Sequence, residues 1–302
     1  MAARQTTVWH EQVALHGVLV EHEPMARHTT LGVGGPARWY FKPDSAEAIR
    51  EALPLIPGEL PRLPMGRGSN MLVLDAGFEG VVIDLGNLDT IEVDGSRLTA
   101  GAGARMSKVA RTCAESGLSG LEFLSTVPGD MGGGVAMNAG AFGQEIADTL
   151  IHADILMPDG TPIRKSRAEL NMTYRHSELP QGSLVTTAGF SLHLDSPEAI
   201  RERIRGMREK RGRTQPLSQP NCGSVFKNPP GDYSARLIES AGLKGYGIGA
   251  ARISETHANF IVNEGGASAA DVIALIRKAQ ADVEAQAGIR LQPEVRIIGG
   301  ES

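Results

Sequence analysis

Apolar positions recur at helical spacing in well-separated stretches of the chain. In Asp44–Leu55, Ala46, Ile49 and Ala52 fall on one side and Ser45 stands where an N-cap belongs. Arg105–Glu115 reads as another helix, stopped by Gly117. Pro197–Arg211 is a basic helical pattern, and Tyr233–Ala241 a shorter one. The clearest pattern is Ser268–Ala287, where Val272, Leu275, Ile276, Ala279 and Val283 repeat at helical spacing. Ser268 and Asp271 form a capping-box start there, and Gly288 supplies the stop. A short helix around Glu11–Leu15 is expected within the polar lead-in of residues 1–30.

Strand signals fill the space between these helices. Met71–Leu74 and Val81–Ile83 are short apolar runs bounded by Gly, Asn and Asp. Ile91–Val93 and Arg97–Thr99 flank Asp94-Gly95, a hairpin turn, and Leu150–Met157 and Ile163 flank Pro158-Asp159-Gly160, another. Leu184–Thr187 adds a strand. Strand-rich sequence gives way to helices near residue 197, which predicts a domain boundary there.

Composition narrows the class. The chain has 302 residues, 41% of them hydrophobic, and a formal net charge of −5. That balance predicts a globular protein with a small-molecule partner and argues against nucleic acid. Cys113 and Cys222 are too few and too far apart for a disulfide framework or zinc knuckle, and there is no HExxH, so no metal is expected. Residues 1–17 lack an unbroken apolar stretch, so neither a signal peptide nor a membrane anchor is expected, and a cytoplasmic location follows. Glycine is in excess, at 37 residues, clustered in Gly117–Gly143 and Gly242–Gly249. Such clusters mark places where backbone approaches something closely.

Two glycine loops are candidate ligand cradles. Gly66-Arg67-Gly68-Ser69-Asn70 can offer backbone N–H groups and two polar side chains to a pyrophosphate, although an isolated Gly-x-Gly is equally an ordinary turn. It leads into a strand, which excludes a Rossmann fingerprint. Pro128–Gly143, with Gly129, Gly132, Gly133, Asn138, Gly140 and Gly143, is more specific. Its consecutive glycines would be an entropic liability unless a rigid ligand or tight strand packing held them. Together the loops suggest a long, flat, phosphate-bearing cofactor.

Three further positions carry potential chemistry. Ser224, in Gly223–Pro229, lacks the second glycine of a nucleophile elbow and reads as a positioned proton donor or a turn residue. Arg175 offers a cation beside Tyr174, His176 and Ser177, and Glu294 follows Pro293 in a strand-like run. Taken singly, Arg175 reads as a surface cation and Glu294 as a strand residue.

Taken in order, these segments resemble the UDP-N-acetylenolpyruvoylglucosamine reductase family. The resemblance runs over Thr29–Ala37, Gly66–Asn70, Pro128–Gly143, Tyr174–Ser177, Gly223–Pro229, Ser254–Asn263 and Gln292–Val295. It implies an α+β fold: a two-part FAD-binding domain of the vanillyl-alcohol-oxidase type over residues 1–196, dividing near residue 88, then an α/β substrate-binding lobe over 197–302. It implies bound FAD, NADPH as co-substrate, a UDP-sugar substrate and no obligate protein partner. Hydride would pass from flavin N5 to C3 of the enolpyruvyl group, and Ser224 would protonate C2. Arg175 and Glu294 would hold and polarise the carboxylate. The resemblance places Gly66, Gly68, Ser69, Asn70 and the named Pro128–Gly143 residues at FAD, and Tyr174, Lys227 and Asn228 at substrate. Arg208 and Arg211 would meet the diphosphate or else form a solvated helix face. Between Arg175 and Phe190 there is no room for the substrate-covering tyrosine loop of one family class, so the chain resembles the shorter class.

The chain departs from the family pattern at Thr126, Asp130, Gly134, Asn221 and Cys222. A carboxylate aimed at a pyrophosphate would repel it, so the Asp130 side chain is expected to point away, leaving its backbone towards FAD. Cys222 is expected to be a small filler, and Asn221 has no role legible in the sequence. An FAD oxidase on the same cofactor domain, or a non-catalytic nucleotide-binding module with a structural Ser224, would use some of the same segments. Their ordered combination favours the reductase.

Overall fold

The computed structural model describes residues 6–300. Packing divides the chain into two compact units. The larger comprises the chain to Glu21, Trp39–Gly66 and Gly80–Glu209, and the smaller His22–Arg38, Arg67–Glu79 and the chain from Lys210. The passage at residue 209 falls inside the helix Pro197–Thr214, beyond the composition change near 197. The reason is packing: Ile200 and Ile204, early in that helix, are buried in a core of the larger unit.

The larger unit has two cores. One is built by Trp9, Phe41, Ile49, Val81 and Ile83 with their neighbours. It accompanies a four-stranded sheet, most of whose residues belong to this unit, ordered Gly17–Pro24, Pro36–Pro43, Phe78–Asp84, Arg62–Met65. The other core gathers Leu98, Val109, Phe123, Val135 and Phe190. Its antiparallel five-stranded sheet is ordered Pro162–Ser166, Leu150–Leu156, Leu184–Ser191, Arg97–Gly101, Ile91–Asp94. Both hairpins expected from Asp94-Gly95 and Pro158-Asp159-Gly160 are present, with Asp94 opposite Arg97 and Leu156 opposite Pro162.

The smaller unit has one core, in which Leu31, Val33 and Leu72 pack with Phe226, Ile261, Leu275 and Val295. Its helix Ala269–Ala287 starts with the expected Ser268–Asp271 capping box and ends at Gly288, whose φ is 68°. The three-stranded sheet Gly247–Ile248, Ala251–Ile253, Ile261–Asn263 accompanies it. Met71–Val73 pairs in parallel with Arg296–Ile298, joining chain segments more than two hundred residues apart.

Some elements differ from expectation. The first helix is Thr6–Val13, earlier than Glu11–Leu15, and continues as a tight turn Ala14–His16. Part of the glycine-rich segment is itself helical, over Met131–Ala136. Among the described residues no helix is long and apolar enough to cross a membrane, and no group of three or more His, Cys, Asp or Glu could hold a metal ion. Cys113 and Cys222 are buried and unbridged, and burial pushes each thiol up to about 12.

Asp75 supplies a second cap to the long helix: its carboxylate oxygens accept the Ala269 and Ala270 N–H groups at 2.8 and 2.9 Å. Asp75→Ala should therefore destabilise the protein by about 1–2 kcal/mol, read as a lower urea midpoint with unchanged slope.

Candidate active site

In the smaller unit the Ser224 turn neighbours the segment carrying Glu294, which lies just before the strand Arg296–Ile298 rather than within it, with Phe226 bridged to Pro293. Val225 C=O accepts the Glu294 N–H at 2.8 Å and the Val295 N–H at 3.3 Å, and Lys227 N–H donates to Gln292 C=O at 2.9 Å. Both Ser224 and Glu294 are half-buried. No hydrogen bond to the Ser224 hydroxyl forms among the described residues, so its proton is not committed to the protein.

Asn221 sets this turn from one end. Its Oδ1 accepts the Gly223 N–H at 2.9 Å and its Nδ2 donates to Pro216 and Gln219 carbonyls. The departure at Asn221 therefore has a structural role that the sequence did not reveal. Cys222, 1% exposed, fills the core beside it. Asn70 holds the opposite segment, its Nδ2 donating to Glu294 C=O at 3.1 Å and its own C=O accepting the Arg296 N–H at 3.0 Å. The Ser69 carbonyl also lies close, 3.9 Å from where a Cβ on Gly223 would stand. Gly68 has φ of 59°. Asn228 is exposed and its Oδ1 accepts the Ser234 N–H, capping the helix Ser234–Ser240, while the Lys227 carbonyl takes the Ser234 hydroxyl.

Arg175 belongs to the larger unit. It sits in a turn closed by reciprocal backbone bonds between Thr173 and His176, and its φ is 57°. A left-handed non-glycine residue costs on the order of 1 kcal/mol, so surrounding bonds must hold it. Three such bonds come from the glycine-rich segment. Arg175 Nη2 donates to Gly140 C=O at 3.0 Å, Asn138 Nδ2 to Thr173 C=O at 3.0 Å, and Ser177 Oγ to Val135 C=O at 2.6 Å. The Arg175 guanidinium also lies 4.9 Å from the ring centre of Tyr174, which is 48% exposed.

The glycines divide by what surrounds them. A Cβ on Gly132 would stand 2.9 Å from Ala102 Cβ, and one on Gly134 would meet Ile146 and Met106 at 2.9 and 3.0 Å. Protein packing, rather than a ligand, accounts for glycine at these two positions. Met131 and Gly132 N–H groups are taken by Ala104 and Ala102 carbonyls. Asn138, fully buried, spends its side chain on Thr173 C=O and Ala147 N–H. Gly133 and Gly143 instead leave open space where a Cβ would stand, and Gly129 turns the chain with φ of 115°. Exposed, side-chain-free backbone of this kind fits a flat group that must approach closely.

Asp130 is 6% exposed, and its carboxylate lies against Gly66 within the larger unit. Thr126 Oγ1 donates to Phe123 C=O inside its own tight turn. Arg208 is exposed and Arg211 half-buried on the helix Pro197–Thr214. That helix is anchored by Arg203, which reaches Glu122, Ser119 and Asp195 at 2.6–3.1 Å.

One positioning residue escaped sequence reading. Asn259, 3% exposed, accepts the Phe226 N–H on Oδ1 at 2.9 Å and donates from Nδ2 to Phe226 C=O at 2.8 Å. Its own C=O accepts the Val225 N–H at 2.9 Å. The only sequence signal was its place in Ser254–Asn263, since a buried amide is recognised by its partners.

Comparison with known proteins agrees with this arrangement. Residues 215–298 match the family model of the UDP-N-acetylenolpyruvoylglucosamine reductase C-terminal domain, and residues 36–166 match an FAD binding domain. The UDP-N-acetylenolpyruvoylglucosamine reductase of Heliobacterium modesticaldum is 46% identical, covering 94% of this chain and 91% of its own. That of Agathobacter rectalis is 43% identical over 93% and 94%. This chain belongs to that family. The crystal structure of the reductase from Thermus caldophilus superposes with a TM-score of 0.82 at 37% identity, covering 94% of this chain and 99% of that one. The α+β fold and the FAD-binding domain follow from these matches.

Two outcomes are expected. A Cβ on Gly66 would clash with Asp130 Oδ2. Gly66→Ala should therefore cost about 1–3 kcal/mol, and part of that loss should vanish when Asp130 is also changed to alanine, as a double-mutant cycle in urea would measure. Burial alone would raise the Glu122 pKa, but hydrogen bonds from Arg203, the Gly120 N–H and Ser119 hold it below the usual carboxylate range. A depressed folded pKa gives stability that is present above the unfolded value of about 4.3 and lost as pH falls through the folded one. Glu122→Gln should thus be less stable than the parent at pH 7, and denaturant midpoints should converge as the pH drops below about 4.

Proposed function

We propose that this chain catalyses the reduction of UDP-N-acetylglucosamine enolpyruvate to UDP-N-acetylmuramate, a step in making peptidoglycan precursor, with FAD bound and NADPH as co-substrate. The observation that carries the mechanism is that Ser224, whose hydroxyl has no hydrogen bond among the described residues, and the half-buried Glu294 lie on segments joined by the 2.8 Å Val225–Glu294 backbone bond.

FAD, held by the glycine loops and reduced by NADPH, would supply a hydride to C3 of the enolpyruvyl group. The chain's own residues manage the charge that this addition creates at C2 and the carboxylate. Arg175 pairs with the substrate carboxylate through its planar fork. Glu294 helps to hold and polarise that carboxylate from the other segment. Ser224 delivers its proton to C2; the acceptor is a strongly basic carbon, so no histidine is needed to activate the hydroxyl. Tyr174, Lys227 and Asn228 line the reacting end, and Arg208 and Arg211 bind the diphosphate of the UDP group.

For the cofactor, Gly66, Gly68, Ser69 and Asn70 and the backbone of Gly129, Gly133, Gly140 and Gly143 are the contacts proposed, while Gly132, whose N–H is taken by Ala102, and the fully buried Asn138 shape the loop from behind. The proposed pyrophosphate meets the Asp130 backbone; the carboxylate, 6% exposed, packs against Gly66, which leaves Gly66 its opposite side for the cofactor. We assign flavin binding to residues 1–196, in halves dividing near 88, and substrate binding to 197–302. A nucleotide substrate and NADPH both favour a cytoplasmic site of action, and the reaction as written needs no protein partner.

The test separates the half-reactions. Ser224→Ala should leave flavin reduction by NADPH near the parent rate and slow reoxidation by the enolpyruvyl substrate by about 10²–10⁴-fold in stopped-flow absorbance. Equal loss of both would make Ser224 structural, and a parent protein whose NADPH oxidation does not respond to the substrate would refute the reaction.

A further inference from the structure

We infer that Asn259 is a positioning residue for proton delivery, its carboxamide standing in for a neighbouring strand so that the Ser224 turn and the Glu294 segment keep a single register. The inference rests on the reaction proposed above and concerns a residue to which that reaction assigns no part.

The geometry begins with how the segment after Ser224 satisfies its backbone. Val225 C=O and Lys227 N–H face the extended segment 292–295. On the other side, Val225 N–H, Phe226 N–H and Phe226 C=O all go to Asn259: the first to its backbone carbonyl, the other two to its side chain. One residue thus replaces the ladder that a second strand would have supplied. Its amide offers one donor and one acceptor on the same edge, matching the C=O and N–H that a single strand residue, here Phe226, presents to one side.

On this side the strand Ile261–Asn263 pairs only before the turn, with Val262 opposite Asn221 and the Asn263 N–H on Pro220 C=O. At residues 225–226 Asn259 takes over that role; Val225 and Phe226 are buried there, while Ser224, between the two pairings, is half-buried. The buried turn is thereby held from both sides, and Glu294 and Ser224 are positioned through the shared Val225 peptide.

Asn259 is itself held. Its N–H donates to His257 Nδ1 at 3.3 Å, and the His257 ring packs edge-on against Phe260 with centroids 4.9 Å apart. An ion at position 259 would disrupt the pair: a carboxylate keeps the acceptor for Phe226 N–H but sets an oxygen against Phe226 C=O, where there is now a donor. Asn259→Asp is therefore almost isosteric and selectively damaging to register.

The experiment uses the FAD-loaded protein. Asn259→Asp and Asn259→Gln should retain flavin and be reduced by NADPH within about twofold of the parent rate. Reoxidation by the enolpyruvyl substrate should fall by about 100-fold, the effect expected of a roughly 1 Å misplacement. Substrate affinity, read from the perturbation of the flavin spectrum, should change far less. Asn263→Ala is the comparator for a purely structural loss: it removes another buried amide of the same unit, one that bonds Leu31, Gly265 and Ala267. If the Asn259 variants slow both half-reactions in the same proportion as Asn263→Ala, or slow neither, the inference is wrong. If Asn259→Asp does not fold, Asn259→Gln, which keeps the amide and displaces it by one methylene, gives the same reading. A parent enzyme that the substrate fails to reoxidise would refute the proposed reaction instead, leaving the role of Asn259 in the turn to be read from stability alone.

Discussion

The smaller unit depends on a short parallel ladder between Met71–Val73 and Arg296–Ile298. Parallel strands cannot be joined by a tight turn, so this pairing must be made by segments distant in the chain. Here it recruits the Arg67–Glu79 excursion into a core otherwise built largely after residue 210. Leu72 is wholly buried in that core, and Asp75, at the end of the same excursion, caps the long helix Ala269–Ala287. The ladder also reaches the chemistry. Asn70, immediately before it, holds the Glu294 carbonyl and accepts from Arg296, so the candidate acid is fixed by the same contact that assembles the unit.

In the larger unit the glycine-rich segment is as much scaffold as cradle. Packing against Ala102, Met106 and Ile146 excludes a side chain at Gly132 and Gly134, while Gly133 remains open. The helix ends at Ala136, and just beyond it Asn138 has a φ of 41°, which suits an asparagine, and an amide that reaches across to Thr173. That bond, with those to Val135 and Gly140, holds the turn that puts Arg175 in the left-handed region. The strain in Arg175 is tolerated because the turn is over-determined, a common arrangement where a side chain must be aimed rather than merely exposed.

Buried amides recur as connectors. Asn138, Asn259 and Asn263 are each at most 8% exposed, and each has its side chain bonded to backbone groups. A buried unpaired amide would be costly, whereas a paired one lends directionality that apolar contacts lack. Asn221 does the same at the half-buried entrance to the Ser224 turn, which explains why this chain tolerates asparagine there. Cys222 contributes only volume: its thiol is buried and held far from ionisation.

Much of this was legible in the residue order. The capping box at Ser268, the stop at Gly288 and the two hairpin turns depend on contacts within a few residues, and their physics is complete in a short stretch of sequence. The ordered segments carrying Arg175, Ser224 and Glu294 were likewise visible as a family pattern. Tertiary structure alone decided which partners those local elements meet. Nothing local distinguishes Gly132, excluded from a side chain by Ala102, from Gly133, which faces open space. Nothing local says that residues 67–79 join the C-terminal unit, or that Asn259 completes the backbone of residues 225 and 226. Those facts arise from pairings over long separations, where the free energy belongs to the contact and not to either residue alone.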